Sequence, residues 1–337
     1  MLRSTSPTTR RTFWPWLLAA AMMPLLAGCG GDAGPEPAQA RTNLRLSEPP
    51  RATPTLFGEG VVSTDLNERD IALSPDGRTI FFTIMNGNTG TIVEVAAEGS
   101  GAPEIAAFSG KYSDLEPFFA PDGQRLYFVS NRPPAGDSTS VDYDIWYLDR
   151  TADGWSEPVN LGAPVNTEGN EFYPSVSSRG ALVFTARKAD SAGGEDLYIA
   201  QPDGAGGFLE PQNLGDAVNT AFDEFNALLS PDEQALIFSS YGRPDDLGGG
   251  DLYISRKNDA GDWLPAVNLG APINSEALDF CPALSPDGHA FFFTSRRGIG
   301  DPQPASYETM ARRLRGPGNG QGDVYRVAVA ALDAAGN

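Results

Sequence analysis

A four-residue turn phrase of the form Ser-Pro-Asp-Gly occurs five times along the chain and constrains the fold more than any other feature. Its copies begin at residues 74, 120, 177, 230 and 285, between 46 and 57 residues apart. The third copy, Ser177 to Gly180, has Ser178 and Arg179 in place of Pro and Asp but keeps the turn glycine. Repeats of this length, with turn and strand signals in every unit, are typical of β-propellers and repeat arrays.

Each repeat predicts four short strands. In the unit from Asn170 to Gly215, runs rich in β-branched and aromatic residues are separated by Gly, Pro and Asp. The fifth unit ends near Val329 after three strands, whereas Pro54 to Gly58 keeps the spacing of a fourth strand. We therefore predict an all-β fold, a β-propeller of five four-stranded blades over residues 55–330, closed by the N-terminal strand. A six-bladed propeller is the alternative.

The repeated motifs resemble those of the TolB-like β-propeller family. The resemblance covers roughly residues 55–329 and rests on the turn phrase followed by Leu126 to Arg132, Tyr143 to Trp146 and Pro158 to Gly162. It is closest to the variant in bacterial envelope proteins that also carry a peptidoglycan-binding domain. Neither that domain nor the α/β domain of TolB is recognisable in this sequence. The resemblance implies an envelope protein that binds a protein or glycan partner without catalysing a reaction.

The N-terminal segment reads as a lipoprotein signal peptide over residues 1–28. Three arginines precede an apolar stretch from Trp14 to Leu26, which is too short to span a bilayer. Leu26 to Cys29 resembles a lipobox, so we predict lipidation of Cys29; the alternative is a chance cysteine beside an ordinary cleavage site. Thr9 to Phe13 partly matches a twin-arginine signal, which leaves the export route open.

Residues 29–54 are rich in Gly, Ala and Pro, and we expect them to form a flexible, lipid-anchored tether. We expect residues 331–337 to form a disordered tail. The predicted location is the bacterial cell envelope, at the outer membrane facing the periplasm. Contact with the membrane is expected through the N-terminal lipid anchor only.

The charge balance restricts the partners. The chain has 24 basic and 44 acidic residues, a net charge of −20, and such a surface repels nucleic acid. We expect a monomer. With Cys29 lipidated, Cys281 is the remaining cysteine, and its place in a first strand predicts a buried, unreactive thiol.

A carboxylate stands six residues before each turn phrase, where the innermost strand begins. The five residues are Glu68, Asp114, Glu171, Glu224 and Asp279. Ring closure is expected to bring them near the mouth of the central channel, where like charges raise one another's pKa or recruit a cation. Oxygen ligands suit a hard ion, so these residues are the candidate metal ligands, with calcium as the candidate ion.

Ion pairing is the alternative reading of this ring, and the one we favour. Four units carry an arginine after the second strand: Arg132, Arg187, Arg243 and Arg296. Each is able to form a bidentate pair with one of the acids. The first unit has Met85-Asn86 at this point, so any ligand site is expected nearest that gap. The repeated aspartates of the third strand, Asp144, Asp196, Asp251 and Asp323, are predicted to cap the preceding loop through backbone N–H groups.

The fifth unit contains an insertion from about Gly298 to Gly322. Within it, Ser306 to Arg315 predicts a short helix that ends before Gly316-Pro317. Arg312, Arg313 and Arg315 make this helix basic in an acidic protein, and we predict that they dock across the channel mouth or on an acidic partner.

The sequence favours a binding module over an enzyme, and no catalytic residue is assigned. Five acids that are equivalent by repeat do not provide the two environments that an acid–base pair requires. His289, the one histidine, has no evident partner for a Ser-His-Asp triad. A carboxylate-dependent glycoside hydrolase and a calcium-dependent, lactonase-like enzyme remain the alternatives.

Overall fold

The protein is described from a computed structural model, which covers residues 42–99, 101–134, 142–299, 303 and 305–334. Five antiparallel sheets, each of four strands or more, form the blades of a β-propeller. From the innermost strand outward, the first blade consists of Glu68–Leu73, Thr79–Asn86, Thr89–Ala96 and Glu104–Ile105, and the second of Asp114–Phe119, Arg125–Ser130, Asp144–Thr151 and Val159–Asn160. The third consists of Glu171–Val176, Leu182–Ala186, Asp196–Ala200 and Gln212–Asn213, and the fourth of Asp223–Leu229, Ala235–Tyr241, Asp251–Arg256 and Val267–Asn268. The fifth consists of Asp279–Leu284, Ala290–Ser295, Asp323–Ala328 and Thr55–Leu56. We number them blades 1 to 5. In blade 2, Gly154–Trp155 also pairs with the end of the third strand.

The ring closes as the sequence predicts. The N-terminal strand Thr55–Leu56 is the outer strand of blade 5, with Thr55 opposite Arg326 and Leu56 opposite Tyr325. The all-β, five-bladed prediction is therefore confirmed. Pairing this strand with the last blade leaves no open edge between the first and last repeats.

Apolar side chains from adjacent blades fill the seams between them. Phe81 of blade 1 packs with Phe119 and Phe128 of blade 2, and Val183 of blade 3 packs with Phe238 of blade 4. Four of these side chains lie on second strands, and Phe119 ends the inner strand of blade 2. The core is thus a ring of inter-blade clusters around the axis.

The C-terminal part of the predicted tether lies against the propeller. Thr42–Asn43 pairs with Glu98–Gly99, and the Leu44 backbone N–H donates to Ala97 O. Arg326 donates to the backbone oxygens of residues 45, 46 and 48. Residues 42–51, which belong to the tether predicted over residues 29–54, are therefore bound to blades 1 and 5. The predicted signal peptide, Cys29 and the rest of the tether lie outside the described residues.

Two helices accompany the strands in the described part of the chain. Helix α1, Tyr307–Leu314, lies in the predicted insertion of blade 5. Helix α2, Ala330–Ala334, falls at the start of the predicted disordered tail, and its Leu332 is buried against Ile273 and Val327. Neither helix has the length and apolar character needed to cross a membrane, and the described residues contain no other helix.

Candidate functional site

The five repeated acids begin the inner strands and are buried. Glu68, Asp114, Glu171, Glu224 and Asp279 are each at most 1% exposed. Burial of a carboxylate requires hydrogen bonds or a counter-charge, so their partners decide what the acids do.

A hydroxyl group from the preceding segment caps every one of these acids. The donors are Thr64 for Glu68, Ser109 for Asp114 (3.0 Å), Thr167 for Glu171 (2.6 Å), Thr220 for Glu224 (2.7 Å) and Ser275 for Asp279 (2.7 Å). In four blades the backbone N–H of the same residue also donates to the acid. The acids therefore fix the segment that leads from one blade into the next.

Arginine pairs with three of the acids, each within its own blade. Arg132 Nη2 lies 2.6 Å from Asp114 Oδ1, and Arg243 reaches Glu224 Oε1 through Nε at 3.1 Å and Nη2 at 2.8 Å. The ion-pair prediction is confirmed for these two arginines. The third pair joins Asp279 Oδ1 to Arg297 Nη2 at 2.6 Å.

The prediction was wrong for Arg296 and Arg187. Arg296 and Arg187 both lie one residue past the second strand and are exposed. Arg297 lies two residues past the strand, as Arg132 does. Side chains alternate between the two faces of an extended chain, so a shift of one residue turns the guanidinium away from the acid.

Glu68 and Glu171 have no arginine among the described residues. Burial raises the pKa of Glu68 to about 7, with a further contribution from the charge of Asp323. Burial likewise raises the pKa of Glu171 to about 7, and Asp144 adds to it. The gap predicted in blade 1 thus has a counterpart in blade 3, and both acids keep a proton to a higher pH than an exposed glutamate does.

The structure does not bring the acids together as a metal cluster. Within the described ranges, no group of three or more His, Cys, Asp or Glu side chains is arranged to hold a metal ion. Each acid is instead engaged within its own blade or by the segment before it. Calcium binding by Glu68, Asp114, Glu171, Glu224 and Asp279 stays a prediction.

The third-strand aspartates cap loops as predicted in three blades. Asp196 accepts from the backbone N–H groups of Ala192 and Gly193, at 2.8 and 3.1 Å. Asp251 accepts from Leu247 N and Asp323 from Gly318 N, both at 2.8 Å. Asp144 accepts from Asn160 Nδ2 at 2.7 Å; the loop before it lies mostly outside the described residues.

A second set of residues lies two positions after each acid, at a β-bulge of the inner strand. They are Asp70, Glu116, Tyr173, Asn226 and Cys281, with φ between 50° and 59°. Each inner strand shifts register at this point. Non-glycine residues in this region cost about 1–3 kcal/mol each, and such strain clusters at functional sites. The same backbone distortion in all five blades brings five different side chains together.

These side chains meet around Arg69 and form what we call the axial cluster. Arg69 Nε donates to Asp70 Oδ1 at 2.6 Å, and Arg69 Nη2 donates to Glu116 Oε1 at 2.7 Å. Cys281 Sγ donates to Asp70 Oδ1 at 2.6 Å, and Asn226 Nδ2 donates to Glu116 Oε1 at 3.3 Å.

The cluster also includes a backbone contact. The N–H of Tyr173 donates to Glu116 Oε2 at 2.7 Å, so blades 1, 2, 3, 4 and 5 are all linked across the axis.

The electrostatics of the axial cluster follow from one cation among several acids. Burial raises the pKa of Glu116 to about 7; Arg69 opposes this shift, whereas Asp70 and Glu195 add to it. Asp70 Oδ2 is buried and has no hydrogen-bond partner in the described part of the chain. Burial raises the pKa of the Cys281 thiol well above its ordinary value, so the thiol stays protonated. The predicted burial of Cys281 is confirmed.

A cavity of about 390 Å³ extends along the axis from this cluster to the opposite end of the inner strands. Glu116 and Tyr173 line its floor. Its walls are mainly apolar and include Ile71, Leu73, Phe118, Phe119, Val176 and Leu228. The turn phrases form its mouth, with Pro75, Pro121, Pro231 and Pro286 joined by Ser178 in blade 3. None of the five repeated acids lines this cavity.

The sequence reasoning missed the axial cluster. Its signal is a position, two residues after each repeated acid, that differs in every unit while its neighbours follow the repeat. Asp, Glu, Tyr, Asn and Cys occupy it in turn. A departure from the repeat at one fixed position marks residues that the fold alone does not require.

Helix α1 is present where the sequence predicts it. The Ser306 side chain accepts from the Thr309 backbone N–H, and none of the helix residues is buried. Arg312 pairs with Glu308 at 3.3 Å, and the Arg313 guanidinium lies against Gly298. Arg315 is exposed. Docking through Arg312, Arg313 and Arg315 stays a prediction.

No family model matches the chain, and no curated protein matches it. Solved structures with a similar fold include TolB from Acinetobacter baumannii, at 15% identity and a TM-score of 0.46 over 77% of this chain and 54% of that one. The chain thus spans about half the length of that protein.

Enzymes with a similar fold are also found. An α-L-arabinofuranosidase from Podospora anserina matches at 14% identity, with a TM-score of 0.46 over 83% of this chain and 94% of that one. A gluconolactonase from Xanthomonas campestris matches at 18% identity, with a TM-score of 0.48 over 79% and 84%. These similarities concern the fold and do not separate a binding protein from an enzyme.

Proposed function

We propose that this protein is a non-catalytic lipoprotein of the cell envelope whose propeller captures a segment of a protein partner in its axial cavity. The observation that carries the proposal is the cavity itself, which is mainly apolar and has a small polar floor. Ligand sites of this composition bury apolar groups and use a few polar groups for orientation. The lipobox at Leu26 to Cys29 supports the envelope location.

The chemistry of the walls favours a protein segment over a glycan. Phe118, Phe119 and Leu228 offer contacts to apolar side chains, whereas a sugar requires hydrogen-bonding partners for its hydroxyl groups. The proline-rich mouth has few backbone N–H groups to offer, since proline has none. A protein side chain inserted along the axis suits both features, because it can contact the apolar walls and needs few hydrogen bonds at the mouth.

A glycoside hydrolase is the second candidate, favoured by one observation. Glu116 lies at the cavity floor with a pKa of about 7, which suits a general acid. Against this candidate, Arg69 binds both Glu116 and Asp70, so the two carboxylates share one cation and are not available as a separate acid and nucleophile.

Photo-crosslinking in the cells that make the protein tests the proposed function. A photoreactive amino acid replaces Ser178, which is exposed at the cavity mouth. We expect a discrete protein adduct that disappears when Ala283→Trp fills the cavity. As the control, the probe is placed at Asp259, in an exposed turn between the third and fourth strands of blade 4. An adduct that persists in the filled variant contradicts the proposal.

Two further outcomes separate the alternatives. A protease-resistant adduct indicates a glycan partner and overturns the proposed protein partner. Hydrolysis of aryl glycosides that is lost in Glu116→Gln supports the second candidate instead.

A further inference from the structure

The axial cluster has more acidic than basic groups. Arg69 is the cation in contact with both Asp70 and Glu116, and Glu195 is a third acid near enough to act on Glu116. Asn226 and the backbone N–H of Tyr173 also bond to Glu116, and neither carries a positive charge. Of these acids Glu116 lines the cavity floor, and it shares the one guanidinium of Arg69 with Asp70.

We propose that the axial cavity takes an apolar chain that ends in a primary ammonium group, as a lysine side chain of the protein partner does, with the ammonium group bound to Glu116 at the cavity floor. This inference rests on the proposed function and names the chemistry of the captured segment. The apolar walls contact the methylene groups, and the ammonium group supplies the counter-charge that the floor lacks.

The hydrogen-bonding capacity of the floor fits such a group. Glu116 Oε2 accepts one hydrogen bond, from Tyr173 N, and each carboxylate oxygen has two lone pairs. Asp70 Oδ2 accepts none in the described part of the chain. An ammonium group has three donors and no acceptor, so it suits the free lone pair of Glu116 Oε2, which faces the cavity, whereas Asp70 is buried and does not line it. A carboxylate or phosphate in the same place is repelled by Asp70 and Glu116.

The protonation of the floor gives the proposal a distinct signature. Glu116 has a pKa of about 7, raised by burial and by Asp70 and Glu195 against the effect of Arg69. Near neutral pH Glu116 is therefore partly protonated, and this proton offsets the negative charge that Arg69 leaves unbalanced. An ammonium ligand displaces that proton, so its affinity rises as the pH rises through 7. A neutral ligand of the same shape has no such dependence.

Calorimetric titration of the full chain with three matched probes tests the inference. The probes are n-hexylammonium, 1-hexanol and hexanoate, and the Ala283→Trp variant measures binding outside the cavity. At pH 8 we expect n-hexylammonium to bind at least about tenfold more tightly than 1-hexanol, a difference of about 1.4 kcal/mol. We expect this advantage to shrink at pH 5.5 and hexanoate to bind most weakly.

Charge-neutralising variants locate the effect. Glu116→Gln should remove the advantage of n-hexylammonium while 1-hexanol still binds. Retained 1-hexanol binding and a single cooperative melting transition show that this variant is folded. Glu94→Gln, a carboxyl outside the axial cavity, serves as the control and should leave all three affinities unchanged.

Failure of this inference is distinct from failure of the proposed function. Equal binding of n-hexylammonium and 1-hexanol, or no binding of any probe, overturns the ammonium site; a surviving Ser178 adduct then leaves the proposed function in place. If no Ser178 adduct forms but n-hexylammonium still binds, the proposal of a protein partner is overturned and the ammonium site remains.

Discussion

Arg69 Nη2 donates a 2.7 Å hydrogen bond to Glu116 Oε1, so a cation of blade 1 is held by a carboxylate of blade 2. The arginines that pair with the repeated acids behave differently, because each reaches an acid of its own blade. Two kinds of buried ion pair therefore coexist. The intra-blade pairs fix each blade, whereas the axial cluster links different blades and reaches the cavity floor.

Arg297→Met should destabilise the protein by about 3 kcal/mol or more, because it leaves the buried carboxylate of Asp279 without its counter-charge. Arg296→Met is the matched control, since Arg296 is exposed and adjacent; we expect a change within about 0.5 kcal/mol. Urea unfolding at pH 7.5 measures both. Equal effects of the two substitutions contradict the assignment of Arg297 as the partner.

The stability of the protein should rise on acidification from pH 8 to pH 5. Glu68, Glu116 and Glu171 have pKa values raised to about 7 and Asp323 to about 6. Because these folded values exceed the unfolded ones, the folded state keeps protons that the unfolded state releases as the pH rises from about 4.5 to 7. The stabilisation is complete below that window and lost above it.

Urea unfolding across this pH range measures the effect, which amounts to about 1.4 kcal/mol for each pKa unit of each group. Glu68→Gln and Glu171→Gln should each flatten the curve, since glutamine does not titrate. Glu98→Gln, at an exposed position, is the control. Stability that falls steadily from pH 8 to pH 5 is incompatible with the raised pKa values.

Calcium titration separates the two readings of the repeated acids. The ion-pair reading predicts no binding heat, because hydroxyl groups or arginines already occupy oxygens of Glu68, Asp114, Glu171, Glu224 and Asp279. Glu68→Gln should then change only the melting temperature. Tight calcium binding that disappears in this variant identifies the acids as a metal site and revives the lactonase-like alternative.

Helix α1 should bind an acidic protein partner through its basic residues. Tyr307 is 76% exposed, and a photoreactive group in its place samples whatever docks there. Reversing Arg312, Arg313 and Arg315 to glutamate should abolish its adduct through charge repulsion. Lys111→Glu, an exposed cation elsewhere, controls for the change in net charge. An adduct that survives the triple reversal removes the docking prediction.

The fold follows from local signals that the sequence repeats. Five turn phrases define five blades, and the spacing of Pro54 to Gly58 identifies the closing strand, because each signal depends on a few adjacent residues. The intra-blade partner of Asp279 was harder to predict. A shift of one residue decides between Arg296 and Arg297, and only the register of the strand resolves it.

The axial cluster could not be predicted from any one repeat. Arg69, Glu116 and Cys281 come from separate blades, and closure of the ring brings them into contact. The bulge that turns Glu116 and Cys281 into the cluster is a backbone distortion without a residue signature of its own, since five residue types adopt it.

Ring closure through Thr55–Leu56 also has a mechanical consequence. The Thr55 hydroxyl bonds to the backbone oxygen of a residue 271 positions away in the chain, so a contact of very long range completes blade 5. A force that pulls on the chain before residue 42 acts first on the contacts of residues 42–51 with Ala97 and Arg326. It then acts on the two residue pairs of the closing strand. The propeller therefore opens first at blade 5, whereas the other four blades are held by hairpins within their own repeats.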